Sequence, residues 1–212
     1  MKKAVLFDID GTILDAWDFI FDAVRCAVTA HGFPYPEEKN FKRALGKPLA
    51  EAYKLLLPDV DELTVEKIKV AHQKFQNENF HLIKPFPKTK ETLQDLKKSG
   101  FLIAAVSNRK RESLKRSLEY TEMLDYFDVI VGPDDVKNPK PHKEHLLFAL
   151  EKLKVNPANS WIVGDTPHDI LAGKNAKVKT VGVTYGFIGK KIAKSKPDFL
   201  IDDIAELVKI LK

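Results

Sequence analysis

The 212-residue sequence predicts an α/β fold: a Rossmann-like parallel sheet with helices on both faces, and a helical block inserted after its first strand. Three observations lead there. Ala4-Val5-Leu6-Phe7 is an apolar, β-prone run that stops at Asp8-Ile9-Asp10-Gly11, the pattern of a buried parallel strand. A long stretch of helical periodicity follows it. From Pro85 onward, apolar runs of strand length alternate with helical stretches, and repeated β-α units imply a parallel sheet with right-handed crossovers.

The elements follow in order. Side chains alternate along a strand, so Asp8 and Asp10 leave the first strand on the same side. Gly11 lets the chain turn there. The carboxyl ends of parallel strands are where α/β sheets bind ligands, although aspartate after a strand is also ordinary turn chemistry. Helical segments near 17–31, 37–57 and 62–82 come next, separated by Gly32-Phe33-Pro34 and Pro58-Asp59. Cys26 falls among Phe19, Ile20, Ala23, Val24, Ala27 and Val28, and reads as a small buried apolar residue. Helix 88–99 ends at Gly100. Strand 102–107, helix 110–120, strand 127–131 and helix 143–154 follow. A strand over 160–165 then leads into a helix through Ala176. Strand 179–184, strand 198–201 and helix 204–211 close the chain. The expected division is a core of residues 1–15 and 85–212, with 16–84 forming a helical cap over the sheet's carboxyl edge.

Composition narrows the function classes. Hydrophobic residues at 44% and charged residues at 31% place the chain among globular proteins rather than disordered ones. No apolar run approaches the roughly 20 residues of a membrane span. Met1-Lys2-Lys3 and the apolar run after it superficially resemble a signal peptide, but Asp8 and Asp10 interrupt that run too soon. A single cysteine offers no intrachain disulfide and fits a reducing cytoplasm. The net charge of +5 is spread over helix faces with acids interleaved, and is densest at Arg109-Lys110-Arg111. A nucleic-acid module would show a continuous basic stripe or a reading motif. A basic field that attracts small anionic metabolites accounts for the charge better.

Three further strand ends carry chemistry. Ser107-Asn108 precedes a basic helix start, where a hydroxyl and free N–H groups make an anion site; serine is also a routine helix N-cap. Lys140 stands between Pro139 and Pro141, which hold the neighbouring chain extended, and lysine suits a point-charge contact to a phosphoryl oxygen. Lys137 competes for that role. Ile162-Val163-Gly164-Asp165 repeats the pattern of the first strand, so Asp165 can join Asp8 around one cation, and Mg²⁺ prefers such oxygen ligands. Asp169 falls in the first turn of the next helix as a metal ligand, a residue behind the ligands or a capping charge. His168 reads as solvent-facing.

Asp8-Ile9-Asp10-Gly11-Thr12, Ser107-Asn108, Lys140-Pro141 and Gly164-Asp165-Thr166-Pro167-His168-Asp169, in that order, resemble the motifs of the haloacid dehalogenase-like hydrolases, in the branch related to phosphoglycolate phosphatases. The likeness spans the whole chain. It implies a Mg²⁺-dependent phosphatase in which Asp8 attacks phosphorus to form an aspartyl-phosphate, and Asp10 acts as general acid and base. Asp8, the backbone carbonyl of Asp10, and Asp165 would hold Mg²⁺, with Asp169 behind them. Ser107, Asn108, Lys140, Gly11 and Thr12 would bind the phosphoryl oxygens. The dehalogenases lack the second aspartate, so Asp10 favours phosphoryl chemistry.

The family's Lys-Pro-x-Pro stands here as Lys140-Pro141-His142-Lys143, and an alternative register places Asn138 at the lysine position. Arg43-Ala44-Leu45-Gly46-Lys47-Pro48-Leu49 resembles the cap segment that faces the leaving group, where Lys47 or Arg43 meets a second anion. The implied substrate is a small phosphorylated metabolite, 2-phosphoglycolate first. A sugar phosphomutase, a pyrophosphatase and a non-catalytic phospholigand-binding protein are the alternatives. Neither a nucleic acid nor a membrane is expected as a partner, and the implied protein is a cytoplasmic monomer or homodimer.

Overall fold

The computed structural model describes residues 2–211; Met1 and Lys212, which the sequence assigns to the core, lie outside the described residues. The first strand, β1 (Lys3–Phe7), is fully buried from Ala4 onward. After the turn at Gly11 comes the two-residue β2 (Leu14–Asp15), and then four helices: α1 (Trp17–Thr29), α2 (Glu38–Ala44), α3 (Leu49–Leu56) and α4 (Glu62–Glu78). The chain returns through β3 (Lys84–Pro85), which pairs antiparallel with β2. It continues through α5 (Thr89–Lys98), β4 (Phe101–Val106), α6 (Arg111–Tyr120), β5 (Val129–Val131), α7 (Glu144–Leu153), β6 (Ser160–Gly164), α8 (Pro167–Ala176), β7 (Lys179–Val183), β8 (Phe199–Ile201) and α9 (Leu207–Ile210). Six strands form one sheet in the order β5-β4-β1-β6-β7-β8, with every pair parallel.

The two-residue alternation of β1 divides the core. Val5 and Phe7 join Leu93, Ile103, Val163 and Leu207 on one face of the sheet. Ala4 and Leu6 join Ala104, Leu146, Ile162 and Ala172 on the other. Helices α1 to α4 enclose a third apolar cluster, built from Val24, Val28, Phe41, Tyr53, Val65 and Ile68. Inside it the Tyr53 hydroxyl and His72 Nδ1 are hydrogen-bonded at 2.9 Å. No helix among the described residues is long and apolar enough to cross a membrane.

The structure departs from expectation where local chemistry outweighs periodicity. The single helix expected over 37–57 is two, because Gly46 takes a positive φ of 74° and Pro48 opens α3. The third segment stops at Glu78, and Phe80–Leu82 form a 3₁₀ turn. The final helix is a 3₁₀ turn, Ile204–Glu206, followed by the single turn of α9. The β2–β3 ribbon is too short to leave any pattern in the sequence.

Cys26 is exposed rather than buried. Helix α1 buries Phe19, Ala23, Val24, Ala27 and Val28. Cys26 follows Phe19 by seven residues and falls about 20° outside the arc that runs from Phe19 through Ala23 and Ala27 to Val28, at the margin of that stripe. One thiol per chain is therefore expected to react with Ellman's reagent in the native protein. Reaction only after denaturation would contradict this placement.

Candidate active site

The site forms where β1, β4 and β6 end together. Ladder bonding runs one residue past two of these strands, with Asp8 N–H donating to Val163 O at 2.9 Å and Ser107 N–H to Val131 O at 3.1 Å. The side chains that leave the sheet are thereby fixed by backbone bonds. Asp165 follows β6 directly, and Lys140 enters from the connection between β5 and α7.

Lys140 is the hub. It is 2% exposed, and its Nζ donates to Asp8 Oδ1 at 2.8 Å, Asp169 Oδ1 at 2.7 Å and Val106 O at 2.6 Å. All three ammonium hydrogens are used. The Lys140 N–H donates to His145 Nδ1 at 3.2 Å, so the other ring nitrogen, Nε2, donates to Gly132 O at 3.1 Å. Burial and the Lys140 charge push the His145 pKa down to about 3, so that ring is neutral. Lys137 and Asn138 are exposed, and the Lys137 backbone and Asn138 side chain both donate to Glu144. The alternative register is not adopted.

Asp169 is satisfied on both oxygens. Its Oδ2 accepts from Thr166 N at 3.0 Å and Thr166 Oγ1 at 2.6 Å, closing a capping box at the start of α8. Asp165 is fully buried and only half satisfied. Its Oδ2 accepts from Phe187 N at 2.8 Å, while Oδ1 has no hydrogen-bond partner. Two glycines let the backbone close around it. A Cβ on Gly11, whose φ is 83°, would strike the Asp165 carboxylate, and one on Gly186 would strike the Asp165 Cβ.

Asp8, Asp165 and Asp169 offer oxygens within 4.8 Å of one another, against the single charge of Lys140. Burial raises the Asp8 pKa to about 7 against the pull of Lys140, and the Asp169 charge adds to the rise. Burial, then Asp8 and Asp169, hold Asp165 well above its ordinary value. Burial opposes the charge on Lys140, yet Asp169 and Asp8 together hold its pKa above that of a free lysine. An unpartnered carboxylate oxygen within a buried excess of negative charge fits a hard divalent cation.

Asp10 stands beside this group, with its Oδ1 3.4 Å from Arg109 Nη1. Burial raises the Asp10 pKa, and Arg109 and Lys140 oppose the rise. Ser107 Oγ accepts from Arg109 N–H at 3.1 Å, which leaves its hydroxyl hydrogen to donate. The N-cap of α6 is Lys110, so Ser107 does not cap the helix. A cavity of about 450 Å³ opens above Asp8, Asp10, Ser107 and Lys140, and is roofed by Val24, Leu45, Leu49, Tyr53 and Leu56.

Several expected contacts fall elsewhere. The Gly11 and Thr12 amides donate to Leu14 O and Ile9 O, so they serve the turn and not the cavity. The Asn108 side chain donates to Gly46 O at 2.6 Å and Lys140 O at 2.8 Å, which occupies both amide hydrogens. Its contact thus ties the α2–α3 corner to the lysine loop, leaving no side-chain donor for a phosphate. His168 is half-buried rather than solvent-facing, with Nδ1 close enough to Gly46 that a Cβ there would lie 3.1 Å away. Lys47 lines the cavity, 4.0 Å from Glu51, whereas Arg43 is exposed and does not line it. Sequence reasoning missed Phe187, Gly186 and the buried His145. The one available signal was Gly186, which follows a strand end much as Gly11 does.

These charges set a pH dependence. Asp8 and Asp165 have raised folded-state pKa values in the metal-free protein, so the native state retains protons that the unfolded chain has lost. Their contribution to stability is present below about pH 4 and falls as pH rises, for Asp8 through about 7. A divalent cation displaces those protons. Mg²⁺ is expected to raise Tm more at pH 8 than at pH 5, by an amount equivalent to about 2.7 kcal/mol at a hundredfold excess over Kd. Asp165→Asn should remove most of that gain. Equal shifts at both pH values, or an undiminished shift in the variant, would contradict the assignment.

Known proteins resemble this chain over most of its length. The sequence profile of the haloacid dehalogenase-like hydrolases matches residues 5–183. Pyrophosphatase PpaX of Bacillus cereus strain B4264 is 32% identical over 214 residues, covering 99% of this chain and 96% of the relative. Among solved structures, a predicted phosphoglycolate phosphatase from Haemophilus somnus superposes with a TM-score of 0.92 at 26% identity, covering 100% of this chain and 98% of that one. A haloacid dehalogenase-like hydrolase from Bacteroides fragilis gives a TM-score of 0.90 at 30% identity, covering 98% and 100%. The chain belongs to the haloacid dehalogenase-like hydrolases.

Proposed function

We propose that the protein is a Mg²⁺-dependent phosphohydrolase of small phosphorylated metabolites that works through an aspartyl-phosphate on Asp8. The observation that carries this reading is the placement of Asp8, which lines the cavity between Lys140 and the half-satisfied Asp165. Asp8, Asp165 and the backbone carbonyl of Asp10 would hold Mg²⁺, with Asp169 behind them orienting Lys140. Mg²⁺ supplies charge neutralisation between a carboxylate nucleophile and a phosphoryl dianion.

A carboxylate oxygen of Asp8 attacks phosphorus, and the bond to the leaving oxygen breaks as Asp10 donates its proton. Burial raises the Asp10 pKa, which suits it to carry that proton. Asp10 then takes a proton from water as the water attacks phosphorus, releasing phosphate and restoring the Asp8 carboxylate. Negative charge moves from Asp8 onto the phosphoryl oxygens during the attack, and the Lys140 ammonium follows it. Ser107 donates to a second phosphoryl oxygen. Residues 16–84 act as a cap that excludes bulk water, held down by the Asn108 bond to Gly46.

The cavity has the size of a small-metabolite site. Pyrophosphate and 2-phosphoglycolate stand first as substrates, the former because of the named pyrophosphatase relatives and the latter because of the structural neighbour. Phosphate release from one of them should require Mg²⁺ and stop with a chelator. Asp8→Asn should abolish turnover, and Asp10→Asn should lower kcat by about 10²- to 10⁴-fold. Wild-type turnover in Asp8→Asn would refute the nucleophile.

A further inference from the structure

The Arg109 side chain is only 10% exposed, yet Nε, Nη1 and Nη2 all lack a hydrogen-bond partner. A buried guanidinium with its donors unused is costly, because each donor has left water without replacement. Among the described residues it forms an ion pair with Asp10, whose Oδ1 lies 3.4 Å from Nη1 and is itself without a hydrogen bond. The Phe19 ring, with its centroid 5.5 Å away, backs the guanidinium. Arg109 also lines the cavity that Asp8 and Asp10 line.

We infer that Arg109 binds a negative charge carried by the leaving group, so that the preferred substrates are phosphoryl compounds whose departing fragment is itself an anion. This rests on the phosphohydrolase reading, because it takes Asp10 as the residue that protonates the leaving oxygen. A guanidinium beside Asp10 is a guanidinium beside that oxygen. A carboxylate or phosphate attached there would receive the unused donors as a fork, the geometry in which arginine binds oxyanions best.

The other cations at the cavity are less suited. Lys69 has Glu66 at 2.6 Å, and Lys47 comes from the α2–α3 corner rather than from the strand end that carries the site. Arg116 donates to Asn77 at 2.6 Å, and Lys110 is exposed. His72 adds no charge, since burial and the nearby Arg109 push its pKa down to about 3. Much of the roof is apolar, which favours a short fragment with one terminal anion over a highly charged one.

Two comparisons test this. The first is kcat/KM for pyrophosphate, 2-phosphoglycolate and ethyl phosphate, which keeps the two-carbon chain but lacks the carboxylate. Wild-type enzyme should favour at least one anion-bearing substrate over ethyl phosphate. Arg109→Gln should shrink that ratio by about ten- to hundredfold, and Arg109→Lys should restore part of it. A preference confined to pyrophosphate identifies the anion as phosphate; one confined to 2-phosphoglycolate identifies it as carboxylate. A purely structural role would lower all three substrates together and leave the ratio unchanged, which would overturn the proposal.

The second is calorimetric binding of methylenediphosphonate against methylphosphonate in Mg²⁺, which needs no turnover. The diphosphonate should lose its advantage in Arg109→Gln. If wild-type enzyme hydrolyses none of the three substrates, the phosphohydrolase reading falls and this binding comparison alone decides Arg109, equal ratios in wild type and variant overturning it. Where Arg109→Gln does not melt cooperatively, Arg109→Lys provides both comparisons.

Discussion

Lys140 lies buried with its ammonium between Asp8 and Asp169, and much of the cleft is arranged to keep that charge satisfied. Taking an ammonium out of water costs several kcal/mol, and removing one partner of such a pair costs about 3–5 kcal/mol. The three acceptors come from different parts of the fold: the end of β1, the last carbonyl of β4 and the first turn of α8. One side chain thus pins two strand ends and a helix start to the loop before α7. His145 is held neutral beneath that loop and steadies the Lys140 backbone.

The same arrangement leaves negative charge over. Three carboxylates face one lysine, and Asp165, clasped by Phe187 and by two glycines, keeps an oxygen unpaired. That surplus is destabilising in isolation and useful in function. Such a buried surplus of carboxylate charge is what a hard divalent cation would neutralise. Stability and chemistry are set against one another here, as is usual for strained or charged sites.

How much of this was legible depended on the range of the interaction. The parallel sheet was readable because burial on both faces makes near-continuous apolar runs such as Ala4-Val5-Leu6-Phe7. Asp8, Asp165, Ser107 and Lys140 were readable because each follows a strand end or a proline-fixed loop. The break at Gly46 and Pro48 was written in the sequence but masked by helical periodicity on either side. Asn108, Gly11 and Thr12 could not be sorted by position, since whether an N–H points to a ligand or closes a turn depends on which carbonyl the fold brings near. Arg109 was one of three adjacent basic residues, and only tertiary packing distinguishes the buried one from its exposed neighbours.

Acid-quenching the enzyme during turnover of its best substrate, followed by peptide mass mapping, locates the residue that carries the phosphoryl group. A phosphoryl increment is expected on the peptide that carries Asp8, at Asp8 itself, disappearing when the substrate is exhausted. Steady phosphate release with an unmodified Asp8 peptide, or a phosphoryl group mapped to another residue, would contradict it.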